Sequence, residues 1–353
     1  MVTGLLTKRP GRRRVAIMLD LGWPFRRHVD VFVGTQLYAR EAGWVKLGHV
    51  VLDGTKIKAN ASKHKAMSYG RMCEREKELE REVTVLLKEA EAADTAEDAK
   101  YGRGKRGDEL PAELARRESR LKKIWEAKAA LEAQAREEAA AKAEEVKRRL
   151  AAMPDVEGAR PEPKAQRNFT DPESRIMKDG ASHGFEQCYN AQAAVDGAGR
   201  VIVAADVTQE TNDKQQLVPM FKQVKENVGR MPRRGSADAG YFGEEQLTDE
   251  SLKGVRLYVP QDRQAHGGDD GGSSKPGKPR TALAERMRRK LSSVAGRAIY
   301  KMRKAIAEPV FGQIKERRGF SRFSFRGLAN VSAEWKLIAL THNLLDLFQA
   351  VMA

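Results

Sequence analysis

The sequence predicts an α/β protein: a mixed sheet of about five strands flanked by helices and interrupted by an antiparallel helical hairpin. Three observations predict it. Short apolar, β-branched runs bounded by Gly, Pro or Asp recur at GHVVLD, EQCYNAQAAVD, RVIVAADVT, RRGSAD and VRLYVP. Segments with helical apolar spacing fall between and after them. After the first of these runs, residues 71–163 are a different material, dense in Glu, Lys, Arg, Ala and Leu.

Taken in order, residues 1–45 show no sustained period. Arg-rich GRRR and several Pro/Gly breaks read as an irregular leader, with a helix near VGTQLYAREAG. From Leu47 the chain reads as a strand, GHVVLD, a turn at Gly54 and a second short strand, KIKANA. Residues 46–70 thus open the main domain. Residues 72–93 and 112–150 carry no Pro or Gly. Leu79, Val83, Leu86, Leu87 and Ala90 on the first, and Leu114, Leu121, Ile124 and Leu131 on the second, follow helical spacing. A charged, Gly-containing loop joins them, as in an antiparallel hairpin. The polar, Pro-rich PDVEGARPEPKAQ leads out of this insertion, and residues 164–353 complete the main domain.

There EQCYNAQAAVD, GAG and RVIVAADVTQ read as a β-hairpin. KQQLVPMFKQVKENV is an amphipathic helix that Pro219 is expected to bend. A short strand ends at Asp238, followed by the helix GEEQLTDESL and the strand VRLYVP. Residues near 262–281 form a flexible Gly/Ser linker. Helices around AERMRRKL, RAIYKMRKAIAEPVFGQIKERR and SAEWKLIALTHNLLDLFQA close the chain. Three strands, helix, strand, helix, strand and then helices is the element order of the ribonuclease-H-like fold.

The formal charge is +16, and it is regional. Residues 71–163 hold 21 Lys and Arg against 23 Asp and Glu, whereas residues 275–326 hold 16 basic residues against three acidic ones. Such clustering is the footprint of a polyanion partner, nucleic acid above all. Cys73 and Cys188 form neither a disulfide framework nor a metal-ligand spacing, which fits a reducing, cytoplasmic setting. The six histidines make no HxH or HExxH pair, arguing against zinc. No apolar run approaches the ~20 residues of a membrane helix, so no membrane partner is expected.

Three acids stand out. Asp53 follows VVL, and Asp238 follows a short strand and precedes Ala-Gly-Tyr-Phe. A carboxylate at the end of a buried strand projects where ligands collect in open α/β sheets. Each also has a bland reading, a turn for Asp53 and a helix cap for Asp238. Glu308 sits in a helix with Tyr300, Lys304 and Lys315 on one face, amid basic residues, and Pro309 must start or kink a helix there. A plain solvent ion pair is its bland reading. Asp196 in a hairpin turn and Asp269 and Asp270 in the linker read as structural, and Asp206 is a weak reserve candidate. Phe320, Phe323 and Phe325, interleaved with Arg, suit base stacking or, more simply, packing; Trp335 reads as core.

Together, HVVLDGTKIKANASKHKAMSYGRM, SADAGYFGEEQL, GRAIYKMRKAIAEPVFGQIKERRGFSRFSFRGL and EWKLIALTHNLL resemble the bacterial insertion-sequence transposases of the DDE class. The branch resembled carries a long helical insertion after its first catalytic Asp. The resemblance spans roughly residues 45–350. It implies that Asp53, Asp238 and Glu308 are the catalytic triad and hold Mg²⁺ or Mn²⁺, with two ions. It assigns DNA contacts to Tyr300, Arg303, Lys304 and Lys315, and to the basic segment with Arg317, Arg318, Arg322 and Arg326. Arg303 lies one residue further from Glu308 than the family's Tyr-Arg-Glu-Lys signature asks, so Lys304 is an alternative in that role. The implied activity is metal-dependent cleavage at element ends and 3′-hydroxyl transfer into target DNA. The implied partners are transposon-end and target DNA and a second copy of the chain, with no small-molecule substrate. The family usually carries a longer helical DNA-binding domain before its first Asp. Only about 50 residues precede Asp53 here, so the leader reads as a remnant of a truncated domain. The rival readings are an inactive DNA-binding or coiled-coil protein descended from a transposase, and a simple nuclease.

Overall fold

The computed structural model describes residues 25–101, 112–149, 159–178, 184–262 and 281–352. The expected linker, with Asp269 and Asp270, lies almost wholly outside them, as do the leader's first 24 residues. In chain order the elements are α1 (Phe25–Glu41), β1 (Val50–Lys58), β2 (Ala66–Ser68), α2 (Tyr69–Tyr101), α3 (Ala112–Arg149), β3 (Gln166–Asn168), β4 (Arg175–Lys178), β5 (Phe185–Asp196), β6 (Ile202–Thr208), α4 (Leu217–Val228), β7 (Arg234–Ser236), α5 (Glu244–Thr248), β8 (Arg256–Tyr258), α6 (Ala282–Ser292), α7 (Val294–Gly312) and α8 (Leu328–Met352). The chain divides into two compact units, Met1–Asn60 with Met177–Ala353, and Ala61–Ile176.

The first unit is built on a mixed sheet in the order β4-β5-β1-β7-β8, with β6 also on β5. β5 pairs antiparallel with β1 from Val50 opposite Asp196 to Lys58 opposite Cys188. On its other side β6 runs antiparallel, with a register shift at Ala194/Val195. β7 lies parallel to β1 and β8 parallel to β7. β5 is buried continuously from Gln187 to Asp196, because helices cover both faces of the sheet. The turn expected at Gly54 is absent. β1 runs through it as one strand, with Gly54 paired to Gln192.

α4 is amphipathic and buries Leu217, Met220, Phe221, Val224 and Val228 in a core shared with Val50, Leu52, Ala194 and Val203. Pro219 falls in the first turn of α4, where its missing N–H leaves no bond unmade, and the helix runs on to Val228. Trp335 on α8 is fully buried, stacked against Phe311 at 6.3 Å and Phe320 at 6.4 Å between centroids. Its indole N–H donates to the Gln192 carbonyl at 2.8 Å. Burying a side chain of this kind is worth about 3 kcal/mol. Phe323 is buried too, edge-on to Tyr189 and Phe320. These two phenylalanines are packing residues. Asp196 is structural: its buried carboxylate accepts from the backbone N–H groups of Leu47 at 2.8 Å, Ala198 at 3.1 Å and Lys46 at 3.3 Å. Asp206 accepts from the Ser332 hydroxyl at 2.8 Å.

In the second unit α2 starts at Tyr69 and runs to Tyr101, longer at both ends than the composition of residues 72–93 suggests. It packs antiparallel to α3: Glu82 meets Arg117 at 2.8 Å, Glu76 meets Lys128 at 2.7 Å, and Tyr69 donates to Glu132 at 2.7 Å. Met72, Leu79, Leu121, Ile124, Ala127 and Leu131 form the buried seam. Val83 and Leu86 are half-buried, whereas Leu87 stays 42 % exposed. Beside them the short β2 and β3 pair antiparallel. No helix among the described residues is long and apolar enough to cross a membrane.

Candidate functional site

β7 pairs with β1 only at Val50 and Val51, and both strands run the same way. Asp53 lies two residues beyond that pairing on β1, and Asp238 two residues beyond the end of β7. The sequence therefore delivers two carboxylates to the carboxyl edge of one parallel strand pair, where open α/β sheets collect ligands. Asp53 is inside β1 rather than at its end. Because successive side chains alternate, its Cβ leaves the sheet on the face opposite that of Gly54.

Asp238 is extended (φ −78°, ψ −179°) and caps the 3₁₀ turn Ala239–Tyr241, its Oδ1 accepting from the Gly240 N–H at 2.8 Å. The cap reading holds geometrically and does not compete with a site role, since Oδ2 carries no hydrogen bond among the described residues. Asp53 Oδ1 accepts from the Gly54 N–H at 3.0 Å, and Oδ2 lies 3.1 Å from Arg303 Nη1. The two side chains are only 19 % and 13 % exposed. Burial pushes the Asp53 carboxyl up to about 6 despite the Arg303 charge, and the Asp238 and Asp213 carboxylates push it the same way. Asp53 thus feels Asp238, although burial is the larger cause of its shift.

Glu308 is placed differently. It is exposed on α7 and makes no hydrogen bond or ion pair with either Asp. Among the described residues no three His, Cys, Asp or Glu side chains are grouped to hold a metal ion. Helix geometry gives the reason. Residues five apart on an α-helix are rotated by about 140°, so with Arg303 turned toward Asp53, Glu308 points well away. Pro309 stands inside α7, which continues to Gly312 and then widens into a π turn over Gln313–Arg317. Val310, Phe311 and Ile314 bury the inner side of this stretch.

The other basic residues divide by environment. Lys315 donates to Thr55 Oγ1 at 3.1 Å, two residues from Asp53 on the same face of β1. Tyr300 is half-buried beside Arg303, the guanidinium 5.8 Å from its ring centroid. Burial raises its hydroxyl pKa; Arg303 opposes this, and Asp238 adds to it. Lys304, Arg317 and Arg322 are exposed. Arg326 is exposed as well and donates to the Asn60 carbonyl at 2.9 Å. Arg318 is different: half-buried, it donates to the Ile338 carbonyl at 3.1 Å and to the Thr341 hydroxyl, tying α8 down.

A polar network that no hydrophobic period announces stands beside the acids. Asp213 Oδ1 accepts from Asn190 Nδ2 and Gln192 Nε2, both at 2.7 Å, and Gln192 Oε1 accepts from the buried Tyr241 hydroxyl. A Cβ on Gly240 would meet Asp238 Oδ1 at 3.0 Å and Asp213 Oδ2 at 3.2 Å, so Asp213 flanks the pair. The network's signal in the sequence is Asn190 and Gln192, two amides at period two among the apolar residues of β5.

A parallel strand pair that presents acids at its carboxyl edge, extended on β1's other side by an antiparallel meander, defines a class of α/β domain. The family described as Transposase DDE domain matches residues 159–344, more than half of the chain and including Asp238 and Glu308. The chain belongs to the DDE transposases. Its mixed sheet with flanking helices is consistent with the ribonuclease-H-like domain of that family. No curated protein and no solved structure matches.

Proposed function

We propose that the chain is a transposase that cuts DNA at the ends of its element and joins the freed 3′ ends to target DNA, with Asp53, Asp238 and Glu308 as its catalytic acids. The observation that carries this reading is the meeting of Asp53 and Asp238 at the carboxyl edge of β1 and β7, with Arg303 and Lys315 beside them. Glu308 enters through its motif and not through its position.

A divalent ion fits this donor set. Both acids offer hard carboxylate oxygens, and the upward push on Asp53 from its acidic neighbours is what a bound cation relieves. Asp53 and Asp238 would hold Mg²⁺ or Mn²⁺, and when bound such ions lower the pKa of the attacking water or hydroxyl and offset charge on the leaving oxygen. The chain's own residues do the positioning. Lys315, Tyr300 and the exposed Lys304, Arg317, Arg322 and Arg326 hold backbone phosphates, a sequence-independent contribution weakened by salt. In the first step a P–O3′ bond at the element end is hydrolysed. In the second, the freed 3′-oxygen forms a new bond to a target phosphorus as the target's own P–O3′ bond breaks. α2 and α3 are read as a helical hairpin inserted after Asp53. Their near-neutral charge suits contact with a second copy in a dimer.

The experiment is cleavage of DNA carrying the element's own flanking ends, with Mg²⁺ or Mn²⁺, beside the Asp238→Ala protein. Metal-dependent nicking absent from the variant, with strand joining in the same reaction, supports the proposal. Nicking that persists in the variant removes Asp238 from the site. Cutting without joining marks a nuclease.

A further inference from the structure

Arg303 is held in a place that does not satisfy it. Its side chain is 13 % exposed, and among the described residues its one ion pair is to Asp53, while Nε is buried without a hydrogen-bond partner. A buried donor left unmatched is unfavourable, since folding has stripped its water without replacing it. Arginine's planar fork suits a phosphate, to which it donates two parallel hydrogen bonds; here Nη1 alone reaches a carboxylate oxygen. Asp53 Oδ1 accepts from the Gly54 N–H, so Oδ2 is the oxygen that Asp53 would offer a divalent ion. Guanidinium and metal ion are rivals for it.

We propose that Arg303 is a positioning residue that holds Asp53 in the absence of DNA and competes there with the divalent cation. A backbone phosphate of bound DNA satisfies the fork, draws Arg303 off and leaves Asp53 open, so DNA and cation bind with positive coupling. By linkage each partner strengthens the other by the same factor, commonly about 5–150-fold in coupled systems. The inference rests on Asp53 being a cation ligand, as proposed above.

The test is Mn²⁺ binding to the full chain, read from the free Mn²⁺ signal in electron paramagnetic resonance. It is run with and without a short duplex, and the Mn²⁺ taken up by the duplex alone is subtracted. Wild type is compared with Arg303→Gln, with Asp53→Asn, and with Lys301→Gln, which removes an exposed charge from the same helix. Arg303→Gln is expected to tighten Mn²⁺ binding without DNA by at least about threefold beyond Lys301→Gln, and to lose most of the DNA-dependent tightening seen in wild type. Equal or weaker binding in Arg303→Gln, with the DNA effect intact, overturns the inference. If Asp53→Asn also binds Mn²⁺ as wild type does, the assignment of Asp53 falls, and this inference with it. If Asp53→Asn loses binding while Arg303→Gln gains none, the inference alone falls. Should Arg303→Gln fail to fold, Arg303→Lys carries the test. Its single ammonium lacks the fork, so coupling drops below that of wild type, and unchanged coupling overturns the idea.

Discussion

Gln192 stands directly across the β1–β5 ladder from Gly54, so close that a Cβ on Gly54 would lie 2.6 Å from its amide nitrogen. The same Cβ would meet the Tyr241 hydroxyl at 3.0 Å and Asp213 Oδ1 at 3.1 Å. Gly54 is therefore required by close approach and not by a turn. Gly54→Ala is expected to push the network apart and destabilise the protein by about 1–3 kcal/mol, seen as a lowered thermal midpoint. A midpoint equal to wild type would show that the amide has room to move.

The network itself fixes an orientation. Because Asp213 accepts from it and Tyr241 donates to it, Gln192 turns its NH₂ toward Asp213 and its oxygen toward Tyr241. Tyr241 closes the turn that Asp238 caps, while Gln192 pairs with the residue after Asp53, so the network ties both acids' backbones together. Asp213→Ala leaves the Asn190 and Gln192 amides without their shared acceptor. We expect it to cost about 1–3 kcal/mol and to lower cleavage at unchanged DNA affinity. Tyr241→Phe, which leaves Gln192 Oε1 without its donor, is expected to act in the same direction. Full cleavage rates in both variants would make the network packing alone.

Asp53 and His49 titrate in the same window with opposite signs. The folded Asp53 carboxyl, at about 6 against an ordinary 3.8, keeps its proton longer than the unfolded one, so stability falls as pH rises between those values. Buried His49, lowered to about 4 from 6.5, stays neutral when the unfolded imidazole is charged, so its contribution makes stability rise over nearly the same range. Each amounts to about 1–3 kcal/mol, and in wild type they largely cancel. Relative to wild type, metal-free melts from pH 4 to 7 should therefore climb with pH for Asp53→Asn and fall with pH for His49→Gln. Parallel curves for the three proteins would refute the assignment.

What was legible in the sequence follows from which forces are local. The strand containing Asp53, the run ending in Asp238 and the helical segments are written in hydrophobic period, and they recur as β1, β7 and the helices. Gly54 reads as a turn from sequence because a glycine serves a turn and a close approach equally well, and only the partner strand distinguishes them. Asp213 lies in a polar stretch whose local pattern says loop, and its meaning comes from Asn190 and Gln192, more than 20 residues away. Position on α7 was the hardest to read. A helical wheel groups Tyr300, Lys304 and Glu308, but packing chose the rotation that turns Arg303 to Asp53.

The basic segment holds the last separation. Arg317, Arg318 and Arg322 look alike in sequence, yet Arg318 is half-buried with its donors on Ile338 and Thr341, while the other two face solvent. Burial lowers the Arg318 pKa without approaching neutrality, so its charge-assisted bonds to α8 remain. Arg318→Ala is therefore expected to lower the thermal midpoint through a loss of about 1–3 kcal/mol, with a small effect on the salt dependence of DNA binding. Arg317→Ala and Arg322→Ala should leave the midpoint alone and each reduce the slope of log affinity against log salt by about 1. Melts and salt titrations of the three variants decide it: a salt slope that changes most for Arg318→Ala would move that residue from the fold to the DNA-binding surface.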